Sequence, residues 1–217
     1  MPRPRQAVLA ALVALHGCGD RHADAPWRAR LATLLTARND GRGGGTPQAR
    51  AFPVRLAQPW LVLPCLAAEL ADADGERAAL AAWCAAGVRR ATGRAVPVVG
   101  DLGAATAVLL VGLWQIATAA RLPPERVAAV QAQVAEALDH PKVRFMPAED
   151  LQCCWELCVG LEAAFAGLLD AGNAGGDAAS VRLAAHAALA GLLQATDREL
   201  AVGAHGFCRG AADGQSA

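Results

Sequence analysis

Between Leu102 and Ala120 the chain runs for 19 positions without a charged residue, and this stretch limits the folds open to it. A helix with no ionic face must be surrounded on all sides, by other helices or by lipid. Thr106, Gly112, Gln115 and Thr118 interrupt its apolar surface, and alanine supplies much of the rest. Those interruptions favour the centre of a helical domain over a membrane span.

The helices needed to surround it can be read on both sides. Pro59 or Pro64 is expected to open a helix through Leu70, ended by Asp72-Ala-Asp-Gly75. Glu76 to Ala91 follows, with Leu80, Trp83 and Val88 near one face and Thr92-Gly93 as the stop. Pro123-Pro124 begins an amphipathic helix whose Val127, Val130, Val134 and Leu138 form one stripe, with Arg126, Gln133 and Glu136 off it. Pro147, Glu149 and Asp150 suit another helix start, since acids favour the positive end of the helix dipole. That helix is expected to reach about Ala171, with Leu151, Cys154, Cys158, Leu161, Phe165 and Leu168 facing the core. Its acids Glu149, Asp150, Glu156, Glu162 and Asp170 are read as a solvated face. After Gly172 to Gly176, Asp177 caps a last helix through Ala195 that turns Val181, Ala185, Leu189 and Leu192 inward. No segment alternates strictly over the length of a strand, so the expected fold is all-α: a compact bundle of about six helices over residues 51–208, followed by a disordered tail at 209–217.

The first 17 residues have a different character. Arg3 and Arg5 precede the apolar run Ala7 to Leu15, the charged and hydrophobic regions of a secretory signal. The run is too short for a permanent span, which needs about 20 apolar residues. It leads into Leu15-His16-Gly17-Cys18, which resembles the lipobox of bacterial lipoproteins. That resemblance implies cleavage before Cys18, acylation of Cys18, and a bilayer as the first partner. Asp is absent from the position after Cys18, where it would resemble an inner-membrane retention signal. The expected address is therefore the periplasmic face, with the outer membrane favoured over the inner one. Residues 18–50 read as a tether with a possible short helix at Trp27 to Arg38, closed by the glycine-rich run after Asn39. A flexible tether of this length reaches roughly 30 Å.

Seven cysteines are an odd number for an exported protein, and lipidation of Cys18 accounts for one. Cys65, Cys84, Cys153, Cys154, Cys158 and Cys208 remain as disulfide candidates whose pairing the sequence leaves open. Removing residues 1–17 leaves 18 basic residues against 20 acidic, a formal charge of −2. Nucleic acid is not an expected partner, because phosphate binding needs a concentrated basic face.

Asp101-Leu-Gly-Ala-Ala105, Val111-Gly-Leu-Trp114-Gln115, and Leu122-Pro-Pro-Glu-Arg-Val127 with the run to Leu138 resemble a family of uncharacterised bacterial exported helical proteins, a domain of unknown function. Gly206-Phe207 is similar to the pair on which that domain closes. The resemblance covers about Phe52 to Cys208 and implies a helical fold and export, without assigning any residue a role.

Candidate chemistry is sparse. Cys153, Cys154 and Cys158 are the most suggestive cluster; Cys154 and Cys158 are one helical turn apart, and with His186 on the next helix they could form a metal or redox set. Ser180 and Ser216 lack a nucleophile-elbow context. His205 and Cys208 flank Gly206-Phe207. No catalytic residue, metal or cofactor is expected. The expected function is a noncatalytic membrane-anchored envelope lipoprotein that binds another envelope protein, in assembly or as a periplasmic immunity or inhibitor factor. The alternatives are a Cys/His metal or redox protein and a hydrophobic-ligand carrier.

Overall fold

The computed structural model describes residues 51–57, 60, 62–63, 74–93, 99–175, 177–193 and 200–209. The signal segment, Cys18, the tether, Cys65, the helix expected to end at Leu70, and residues 210–217 lie outside the described residues. In chain order the elements are β1 (Pro53–Arg55), α1 (Asp74–Thr92), β2 (Val99–Asp101), α2 (Leu102–Thr118), α3 (Pro124–Leu138), the single turn α4 (Pro141–Arg144), α5 (Ala148–Gly175), α6 (Ala178–Leu193), β3 (Leu200–Gly203) and β4 (Gly206–Arg209). The described part is mostly helical. It also contains strands where none was expected: β1 pairs antiparallel with β2, Val54 opposite Gly100, and β3 with β4, Val202 opposite Phe207. Runs of three and four residues are too short to show the alternation by which a strand is recognised.

Local chemistry sets the helix ends. Gly93 closes α1 at a φ of +69°, its N–H donating to the Arg89 carbonyl at 2.7 Å, the left-handed termination that glycine favours. The Asp101 carboxylate accepts from Ala104 N–H at 3.1 Å, capping α2, and from Phe52 N–H at 3.2 Å, which fastens β1 to the same corner. At its other end α2 stops at Ala119, in the left-handed region at a φ of 56°. Pro124 starts α3 in the position where a missing N–H goes unnoticed. The helix α5 continues past the expected Ala171 to Gly175.

The uncharged segment behaves as a central element. Ten residues of α2 are buried, and it packs against α5, α6 and α3. The stripes assigned to α3 and α6 face inward: Val130, Val134, Leu138, Val181, Ala185, Leu189 and Leu192 are buried, and Val127 is half-buried. With 17 residues α2 falls short of a membrane span. Among the described helices α5 is the one long and apolar enough to cross a membrane, and 72% of its most apolar window is buried inside the domain. Protein contacts thus already cover most of the surface that lipid would otherwise have to cover.

Contacts fix the helix directions. Thr106 meets Cys158, and Gly112 lies beside Glu162, so α2 and α5 run side by side in the same direction. Trp83 packs on Gly167 and Gly87 on Ala163, so α1 runs opposite to α5. A Cβ on Gly87 would stand 2.7 Å from the Ala163 Cβ. This crossing depends on the absence of a side chain.

Candidate functional site

The site begins on α5, where seven consecutive residues from Trp155 to Leu161 are buried. The expectation of a solvated acidic face fails there. Glu149 and Asp170 are exposed and Asp150 and Glu162 are half-buried, but Glu156 is fully buried at 0%. No side of the helix reaches water at that level, so an acid can remain only if the protein supplies its hydrogen bonds. The Glu156 Oε2 atom accepts from Val62 N–H at 2.7 Å and Leu63 N–H at 3.2 Å, and Oε1 accepts from Gln152 Nε2 at 2.8 Å. The buried Gln152 also pairs with one residue of the incoming chain: its oxygen accepts from Ala57 N–H at 2.9 Å and its Nε2 donates to the Ala57 carbonyl at 2.8 Å. The side-chain amide imitates a neighbouring strand. Trp155, between these two, stacks on Trp60 with ring centroids 6.3 Å apart. A Cβ at Gly100 would come within 2.5 Å of the Trp155 Nε1.

The same device recurs at the other terminus. On α3, Gln133 Oε1 accepts from Phe207 N–H at 2.9 Å while its Nε2 donates to the Phe207 carbonyl at 2.9 Å. Arg126, two turns earlier, donates to the Val202 carbonyl. Gly206 has a φ of +100°, and a Cβ there would stand 2.5 Å from the Gln133 oxygen. The sequence pattern does not mark the two clasping glutamines: it places Gln133 only off the apolar stripe of α3 and gives Gln152 no role. The spacing of Gln152 and Glu156, one turn apart inside an apolar run, was the available signal.

Beside Trp155, α1, α2 and α5 enclose a cleft of about 240 Å³. Trp155, Cys158 and Val159 line it from α5, Ala104, Ala105 and Val108 from α2, and Gly87 and Ala91 from α1. Arg90 and Glu162 form an ion pair of 3.0 Å along it, with Asp101 nearby. Val108 is half-exposed on its flank. The cleft is therefore apolar in its depth and ionic at one edge. A broader depression of about 380 Å³ lies further along, with Gln115, Arg121, Asp170 and Arg182 among its lining residues.

The Cys158 thiol in the first cleft is 3.6 Å from the Thr106 hydroxyl, and burial pushes its pKa up to about 11. Cys84, 3.9 Å from the Gly160 carbonyl, is pushed by burial to about 11 as well. Both are protonated near neutral pH and poor nucleophiles. Among the described residues no disulfide forms at Cys84, Cys153, Cys154, Cys158 or Cys208, of which Cys153, Cys154 and Cys208 are half-buried. Cys208 donates to the Ala201 carbonyl at 3.6 Å. The metal or redox set is not assembled: among the described residues no three His, Cys, Asp or Glu side chains are placed to hold a metal, so Cys154, Cys158 and His186 do not form such a group. Trp114 is half-buried against the core, Ser180 sits on α6, and His205 is exposed in the turn between β3 and β4. Comparison of the chain with family models, with curated proteins and with solved structures finds no match in any of the three.

Proposed function

We propose that the chain is a noncatalytic envelope lipoprotein, acylated at Cys18 on the periplasmic face of the outer membrane, whose helical domain binds another envelope protein through the cleft between α1, α2 and α5. In this reading the domain is a compact bundle of about six helices, and it belongs with the exported helical proteins that its Asp101 to Val127 motifs resemble. The cleft carries the reading. Its volume of about 240 Å³ lies below the roughly 300–1,000 Å³ of small-molecule pockets, and suits one or two apolar side chains of a protein partner. An ion pair along the edge adds the polar rim that protein interfaces share. The same volume argues against a hydrophobic-ligand carrier at this place.

Two measurements test the two halves. Intact mass spectrometry of the membrane-extracted protein is expected to give a chain beginning at Cys18 with added acyl groups; a chain without them removes the anchor from the reading. A photoreactive amino acid at Val108 is expected to crosslink one envelope protein in living cells, whereas the same group at the exposed Leu183 does not. Equal labelling from both positions would remove the cleft as the binding site.

A further inference from the structure

The helix directions place several features at one end of the domain. The first turns of α2 and α5 lie there together, and with them the last turn of α1. The β1–β2 pair leads directly into α2, and the Phe52 carbonyl accepts from Leu102 N–H at 3.0 Å, so the chain arriving from residues 18–50 joins the domain at this end. Phe145 belongs to the same end, in the turn between α4 and Ala148, and is 85% exposed, more than Leu183 at 71% or Val99 at 54%. Leu183 belongs to the opposite end: its neighbour Arg182 shares the broader depression with Asp170, near the close of α5.

We infer that this end faces the bilayer, with Phe145 inserted among the lipid headgroups. The inference rests on the proposed anchor at Cys18, which supplies the proximity. A single aromatic ring binds a membrane weakly from solution, but covalent attachment of the same chain to the bilayer raises the effective concentration of the domain there to about millimolar. A weak contact is then populated. The charges around the turn set which force operates. Arg144 pairs with Asp139, and Arg55, Arg89, Arg90 and Lys142 belong to elements at this end with Asp101, Glu149 and Asp150. Bases and acids nearly balance, so insertion of the ring, rather than attraction to anionic lipid, holds the contact.

The test separates the contact from the anchor. The chain from residue 18, carrying Cys18→Ser and an N-terminal His tag, is held on vesicles of phosphatidylethanolamine and phosphatidylglycerol by a nickel-chelating lipid. Brominated acyl chains then quench a tryptophan introduced as Phe145→Trp or as Leu183→Trp, each read against the parent chain. Added quenching at position 145 should exceed that at 183 by about threefold or more, as expected for a ring at the headgroup boundary, and should change little when the phosphatidylglycerol fraction is halved. Equal quenching at both positions overturns the inference, as does quenching that vanishes with the anionic lipid. Because the tag replaces the acyl chains, either result stands whatever the mass of the native protein shows about Cys18.

Discussion

Glu156 places a carboxyl group where the whole residue is buried, and hydrogen bonds from Val62, Leu63 and Gln152 help to make that position tolerable. Removing the acceptor strands two buried backbone N–H groups, each costing about 1–3 kcal/mol. Glu156→Ala should therefore lose about 3 kcal/mol in urea unfolding, and Glu156→Gln, which keeps one acceptor oxygen, about 1 kcal/mol. Equal losses would show that the oxygen retained by glutamine does not satisfy the Val62 and Leu63 N–H groups, and would overturn this account. Cys84 and Cys158 make a separate prediction. Burial raises their pKa from 9.0 to about 11, so the unfolded chain gives up these protons first as pH rises. The stability tied to their protonation is fully present below pH 9 and is lost toward pH 11, by at most about 1.4 kcal/mol per pH unit for each thiol. Cys158→Ala should flatten the decline of stability between pH 9 and 11; an unchanged slope would count against thiol ionisation.

At the scale of single elements, α2 shows how a helix can stop without the usual residue. Ala119 adopts the left-handed conformation at a φ of 56°, which disfavours a Cβ by about 1–2 kcal/mol. Thr118 compensates in part: its hydroxyl donates to the Trp114 carbonyl at 2.8 Å and accepts from Ala120 N–H at 3.3 Å. Ala119→Gly should stabilise the protein by about 1 kcal/mol, seen as a higher melting temperature, because the strain it relieves exceeds the added freedom of the unfolded chain. The sequence made α2 recognisable through its missing charges, α3 through Pro123-Pro124 and its valine stripe, and α6 through Asp177. It hid what depends on partners distant in the chain. β1 needs β2 from 46 positions later, so neither run identifies itself. Glu156 looked like a surface residue because helical periodicity assumes a solvated side, and α5 has none from Trp155 to Leu161. The cleft was equally illegible, being a gap left by three helices rather than a pattern within any one.

Across the whole molecule, Gln152 and Gln133 fasten two extended stretches, near the beginning and the end of the domain, to the faces of α5 and α3. Neither Ala57 nor Phe207 gives these hydrogen bonds to a strand, so neither depends on a ladder that could fray residue by residue. Each amide is freed only when a glutamine side chain withdraws, and Gln152 is buried. Amide hydrogen exchange at these two positions should consequently be as slow as in the helices that hold them, while the β1 amides and the remaining β4 amides exchange sooner. In Gln152→Ala the Ala57 amide should speed up to the rate of its neighbours while Phe207 stays slow; acceleration of both would mean that the two ends open as one unit. The two glutamines would thus act as independent kinetic locks, and the order in which they release would decide which end a protease reaches first.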